Sequence, residues 1–188
     1  MIAKTREMTV AEYFAFDEAS EICNEFIDGE IYPMPGGSGP HNEIAAYAIT
    51  ALSTALANLD CRVYASQMRV RIDPSKYVYP DVSVVLGQPR FEDENEVTLL
   101  NPTVVVEVTS PSSMTRDHIS KVELYGAVPS IEGYLILDQT RVFAEWYTRA
   151  EGGWHLRQFS DAADVIRMEP LGIDLPLAQA YRTIGIID

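Results

Sequence analysis

Thr103-Val104-Val105-Val106-Glu107-Val108-Thr109 is the stretch that most restricts the fold. β-Branched residues in a near-continuous apolar run favour a strand covered on both faces, which demands layers above and below a sheet. Glu107 stands alone in that run. An isolated carboxylate inside a sheet is strongly disfavoured, so it must be paired, protonated or bound to a metal. Two readings of Glu107 stand: a structural ion pair with Lys or Arg, and a site residue, since buried ionisable groups in clefts lean toward function.

The rest of the chain supplies the layers. Thr9–Ala19 opens with a Thr cap and Glu12 three residues on, a capping-box pattern that predicts a helix. Asn24–Met34 predicts a hairpin turning at Asp28-Gly29, and Pro35–Pro40 a loop. His41–Leu59 carries Ile44, Tyr47, Ala48, Ala51, Leu52, Ala55 and Leu56 at helical spacing, which predicts the longest helix. Cys61–Ala65 and Met68–Ile72 alternate as strands, and Tyr77–Leu86 reads as a third, interrupted by Pro80. Gln88–Asn101, with its acidic run from Glu92 to Glu96, reads as a solvated loop. Ser112–Ala127 reads as a helix, Ile131–Leu137, Val142–Arg149 and Trp154–Phe159 as strands, and Leu175–Arg182 as a short helix. This order predicts an α/β fold: a central mixed β-sheet flanked by helices, with residues 1–188 forming one domain.

Charge and composition bound the function. The formal net charge is −14, from 14 basic against 28 acidic residues. Phosphate contacts supply most of the affinity of duplex-DNA binders, so this balance opposes tight, unaided duplex binding while allowing a local basic strip. Cys23 and Cys61 are too few for a disulfide framework and read as buried thiols. No apolar run reaches the ~18 residues that a membrane span needs, and no signal peptide is evident, so a cytoplasmic protein is expected. The strands from Ile131 to Phe159 carry more apolar surface than an exposed edge needs, and from this a homodimer is expected.

Two further residues join Glu107 as candidates. Asp81 follows Pro80 and precedes the apolar Val82-Ser83-Val84-Val85; it reads either as a plain turn residue or as a carboxylate aimed from a strand end toward a neighbouring strand. Lys121 lies on the helix after the Glu107 strand, with Asp117 four residues earlier; it reads either as half of a surface pair or as an ammonium reaching back over the strand ends.

Together, Tyr79-Pro80-Asp81-Val82-Ser83-Val84, then Pro102 to Ser113, then Asp117, Lys121, Tyr125, Val128, Tyr134 and Asp138 resemble the signature of a bacterial family. That family was formerly a domain of unknown function and belongs to the PD-(D/E)XK superfamily of restriction-endonuclease-like proteins. Glu25-Phe26-Ile27-Asp28-Gly29-Glu30 and His41 match its N-terminal pattern, and the resemblance covers about Met8 to Asp138.

The resemblance implies a restriction-endonuclease-like core in which Asp81 and Glu107 bind a divalent metal, Mg²⁺ or Mn²⁺. The superfamily pattern sets a lysine two residues after the glutamate, where this chain has Thr109. In this family the lysine sits on the following helix, and Lys121 fits that place. The resemblance also draws His41 toward the cleft, with a capping or solvated histidine as the alternative, and Glu25 as a weaker candidate of the same kind. Phe143, Trp146, Tyr147 and Trp154 suit strand packing or dimer contact better than base stacking. The expected function is a metal-dependent nuclease acting on DNA, with Asp81, Glu107, Lys121 and His41 as its catalytic residues. Two alternatives remain: a non-catalytic binding or assembly module with a vestigial acidic pocket, and a hydrolase of a smaller phosphorylated molecule.

Overall fold

A computed structural model describes residues 7–34, 36–109 and 121–187. The predicted α/β class is what the chain adopts: mixed sheets with helices packed on their faces. The central sheet has six strands in the order β11-β10-β9-β8-β6-β3. These are β3 (Cys61–Ala65), β6 (Val82–Leu86), β8 (Val104–Thr109), β9 (Gly133–Asp138), β10 (Ala144–Ala150) and β11 (Gly153–Phe159). β8 and β9 are parallel, and the other neighbours are antiparallel. The β8 run is buried from Val104 to Val108, as its composition demands.

A second sheet has the order β2-β1-β5-β4-β7: β1 (Asn24–Ile27), β2 (Glu30–Pro33), β4 (Arg69–Asp73), β5 (Lys76–Val78) and β7 (Thr98–Leu99). Positive φ at Asp28 and Gly29 makes the tight turn between β1 and β2. α1 (Val10–Ala19) starts at a complete Thr9/Glu12 capping box. α2 (Gly39–Ala55) starts two residues before the predicted His41, because Ser38 supplies the N-cap.

Layers cover both faces of the central sheet. On one face lie α2, the hairpin of β12 (Val165–Met168) and β13 (Ile173–Pro176), and the last helix (Leu177–Thr183). On the other lie the helical residues 121–126 (α3) and part of the second sheet. No helix among the described residues is long and apolar enough to cross a membrane.

Three expectations change. Tyr77–Leu86 is two strands in two different sheets, broken at Tyr79-Pro80-Asp81. Pro80 cannot donate to a ladder, and the chain uses that break to change sheets. The loop of residues 88–101 contributes β7, and its Glu92 accepts from Arg71 and Tyr77 rather than facing only water. The last helix starts at Leu177 rather than Leu175, because Leu175 and Pro176 belong to the β12–β13 hairpin. Most of the apolar surface behind the dimer expectation lies inside this chain: Ile131, Leu135, Leu137 and Trp146 are fully buried, and β11 forms the sheet edge. The predicted helix over Ser112–Ala127 is described only from Lys121 onward; Asp117 and His118 lie outside the described residues.

Gly133 opens β9 against the Trp146 ring, and a Cβ built there would overlap the indole. Trp146 has no exposed surface, and its indole N–H donates to Glu169 at 3.1 Å, so it has little freedom to yield. Gly133→Ala is therefore expected to destabilise the protein by about 1–3 kcal/mol through overpacking. Urea unfolding measures this, and an unchanged midpoint would contradict the tight β9–β10 packing.

Candidate functional site

Strand alternation aims the first candidate. Val104, Val106 and Val108 pack on the α2 side of β8, and Val105 on the α3 side. Glu107 therefore shares the α3 side with Val105. β6 runs antiparallel to β8 with Val82 opposite Val106, and the same register continued by one residue sets Asp81 opposite Glu107. Asp81 Oδ2 accepts the Val108 N–H at 2.7 Å, which ties this carboxylate to the strand that carries the other.

α3 brings Lys121 and Tyr125, four residues apart and so on one helix face. Lys121 Nζ lies 2.7 Å from Glu107 Oε1 and 3.2 Å from Glu25 Oε1. The Tyr125 hydroxyl donates to the same Glu107 oxygen at 2.5 Å. Glu25 comes from β1 in the second sheet, and its Oε1 also accepts the Tyr79 N–H at 3.4 Å. His41 is the third residue of α2, with Nε2 3.2 Å from Asp81 Oδ2. Its backbone N–H donates to the Ser38 side chain, so His41 lies in the first turn of α2 and against Asp81 at once.

Electrostatics follow from this packing. Burial pushes the Glu107 carboxyl up to about 7; Lys121 opposes that rise, and Asp81 and Glu25 add to it. For Lys121, burial alone would favour the neutral amine. Glu107 and Glu25 outweigh it and hold the ammonium above the ordinary lysine range, so the group stays charged. His41 is also raised, chiefly by its hydrogen bond to Asp81.

The predicted candidates thus meet at one end of the central sheet. Lys121 turns inward, onto buried carboxylates, instead of lying along the surface. Glu25 stands beside it as a full member of the cluster. Tyr125 was not expected as a site residue, although its spacing of four from Lys121 marks it as sharing that helix face. Thr109, where the superfamily pattern has lysine, has a buried Oγ1 without a partner among the described residues. The aromatic set is structural: Trp146 is core, Tyr147 stacks on Tyr134, the Trp154 indole donates to Val122 O, and Phe143 lies under Arg141. His155 lies exposed on β11.

The donor set fits a hard cation. Asp81 lies just before β6 and Glu107 on the neighbouring β8, and Asp81 Oδ1 and Glu107 Oε2 accept no hydrogen bond among the described residues. No group of three or more His, Cys, Asp or Glu among the described residues is arranged to hold a metal by itself. Two carboxylate oxygens suit Mg²⁺, which binds through one or two carboxylates and keeps several waters.

Comparison with known proteins agrees with this architecture. Residues 10–178 match the model of the Uma2 family, described as "Putative restriction endonuclease". Two proteins of Synechocystis sp. are similar. One, sll1609, is 33% identical over 150 residues, spanning 79% of this chain and 85% of that one. The other, slr1290, is 30% identical over 180 residues, spanning 95% and 94%. The crystal structure of a "putative nuclease belonging to DUF820" from Anabaena variabilis superposes with a TM-score of 0.79, covering 94% of this chain and 99% of that one at 15% identity. At that identity the likeness is one of fold.

A pH dependence follows from Glu107. Its carboxyl is raised in the folded protein relative to the ordinary 4.5, so the folded state retains a proton that the unfolded state loses first. This contribution to stability is present below about 4.5 and is lost as pH rises through about 7. His41, also raised, acts in the same direction. Metal-free protein is expected to melt at a lower temperature at pH 8 than at pH 5, and Glu107→Gln is expected to flatten much of that difference. Equal slopes for the two proteins would contradict this account.

Proposed function

The chain belongs to the Uma2 family, and from that premise we propose that it is a divalent-metal-dependent nuclease hydrolysing phosphodiester bonds of DNA. In this reading Asp81 and Glu107 are the metal ligands, with Mg²⁺ or Mn²⁺ as the ion, and Lys121 is the catalytic cation. The observation that carries it is the convergence of two carboxylates, Asp81 just before β6 and Glu107 on the neighbouring β8, with one partly buried ammonium. Evolution toward stability alone does not favour such a cluster, since well-packed apolar replacements of buried ion pairs are often neutral or stabilising.

Hydrolysis adds water to phosphorus, breaks one phosphorus–oxygen ester bond and releases an alcohol. Negative charge grows on the phosphoryl oxygens along the way. The bound ion supplies an activated water and relief of that charge. The chain's own residues prepare the rest. The Val108 N–H and His41 hold Asp81 Oδ2, which leaves Oδ1 for the ion. In the metal-free protein Tyr125 and Lys121 both bond Glu107 Oε1, and Tyr125 alone suffices to keep that oxygen turned away, which leaves Oε2. An ammonium kept charged by two carboxylates is suited to stabilising negative charge, not to accepting a proton.

One observation favours the non-catalytic alternative. The net charge is −14. Among the described residues Arg62, Arg69, Arg71, Lys76, Lys121, Arg141, Arg157 and Arg167 are already ion-paired with carboxylates. Little positive charge is left there for a duplex backbone. A homodimer that lines up two clefts would widen the contact surface, and light scattering at micromolar concentration tests for it.

The deciding assay is Mn²⁺-dependent cleavage of plasmid and of single-stranded DNA. Wild type is expected to cut, and Asp81→Asn to abolish both cutting and calorimetric Mn²⁺ binding. Asn is the better test than Ala, because its oxygen still accepts the Val108 N–H; Ala would leave that buried amide unsatisfied at a cost of about 1–3 kcal/mol. Lys121→Met is expected to lower turnover roughly a hundredfold. Wild type that binds Mn²⁺ but cuts neither substrate would favour the non-catalytic module.

A further inference from the structure

Glu25 is the third carboxylate of the cluster, and the two-ligand reading leaves it without a task. It is buried, from a different sheet than Asp81 and Glu107, and its Oε1 meets Lys121 Nζ at 3.2 Å. Its position is held from behind. The Tyr79 N–H donates to Glu25, the Tyr79 hydroxyl donates to Asp17, and Asp17 is further bound by the Asn24 N–H and by Arg69. Asp17, Asn24 and Arg69 thus bind α1 to β1 and β4 directly behind the Glu25 backbone. The Glu25 carboxylate sits on an anchored strand, with one backbone donor besides Lys121, and is placed to receive an ammonium.

Charge matching explains why a receptor is needed. In the metal-free cluster Lys121 lies on Glu107 Oε1 and is the counterion of the residue expected to bind the metal. With Asp81 and Glu107 alone, a divalent ion and an ammonium would leave a buried excess of one positive charge. Three carboxylates neutralise one divalent ion and one ammonium together.

We propose that Glu25 is a positioning residue that takes over Lys121 when a divalent ion engages Asp81 and Glu107, so that the ammonium stays in the cleft without competing with the metal. This rests on the reading of Asp81 and Glu107 as metal ligands. The move is short, because Lys121 Nζ already lies within ion-pair distance of both glutamates.

The test is a double-mutant cycle on the full chain, read by Mn²⁺ calorimetry and by unfolding of the metal-free protein. Glu25→Gln keeps the side-chain shape and removes the charge, so Lys121 is left with Glu107 alone. It is expected to weaken Mn²⁺ binding about tenfold, the lower end of the range for residues that support metal ligands. In a Lys121→Met background the same Glu25→Gln change is expected to alter Mn²⁺ affinity less than about threefold, since no ammonium is left to compete. An equal loss in both backgrounds would mean that Glu25 touches the metal itself, and no loss in either would mean that it does not serve the site; both overturn the proposal. The metal-free unfolding midpoints separate this proposal from the metal reading. Non-additive midpoints are expected for Glu25→Gln and Lys121→Met, and additive midpoints overturn the clamp. Wild type without any Mn²⁺ binding would refute the metal reading and, with it, the transfer, while non-additive midpoints would still support Glu25 as the residue that positions Lys121. Should Glu25→Gln not fold, Glu25→Asp withdraws the charge by one methylene, and the same loss and the same recovery are expected.

Discussion

The ammonium of Lys121 sits between Glu107 and Glu25, and much else in the molecule is arranged to make that possible. Lys121 lies on α3, and its two partners are 14 and 96 residues away in sequence, on β8 and β1. Removing one member of such a buried set typically costs about 3–5 kcal/mol, because a charge is left uncompensated in a poorly solvated place. The Tyr125 hydroxyl and the Tyr79 N–H satisfy further lone pairs of the two glutamates, as a buried ionic cluster requires. The outcome is a set of carboxyl oxygens held in fixed places by their donors.

That cluster lies where two sheets meet. β5 belongs to one sheet and β6 to the other, with Tyr79-Pro80-Asp81 between them. Each residue of that tripeptide has a task. Tyr79 ties Glu25 and Asp17 together, Pro80 ends the ladder, and Asp81 closes on Val108 and His41. Two sheets joined by so short a link bring carboxylates of opposite origin close together without any helix having to carry them. α2 and α3 then approach from opposite faces, and each contributes one nitrogen.

The surface places limits on substrates. Most described cations are engaged by neighbouring carboxylates, so long-range attraction of a polyanion is weak and repulsion dominates at low salt. In the proposed reading, capture by an ion and Lys121 would act at short range, where solvent screening is reduced.

Much of the secondary structure was legible in the sequence, because local rules decide it. The capping box of α1, the Asp28-Gly29 turn, the apolar period of α2 and the β-branched run of β8 each depend on neighbours a few residues away. The need of Glu107 for a partner was equally legible, since a lone carboxylate in VVVEVT cannot stay unpaired at low cost. The partner itself was not. Whether Lys121 pairs along its own helix or turns inward depends on where α3 lies on the sheet, and its being shared with Glu25 depends on how the second sheet docks. The division of Tyr77–Leu86 between two sheets was hidden for the same reason: Pro80 marks a break, but the identity of the strands on either side is set by pairing between distant segments. The sequence by itself determined the elements and the chemical types of the site, through short-range propensity and the penalty on buried charge. Only the tertiary structure decided which oxygens and which nitrogens meet, because those distances are fixed by packing between parts of the chain that local rules do not connect.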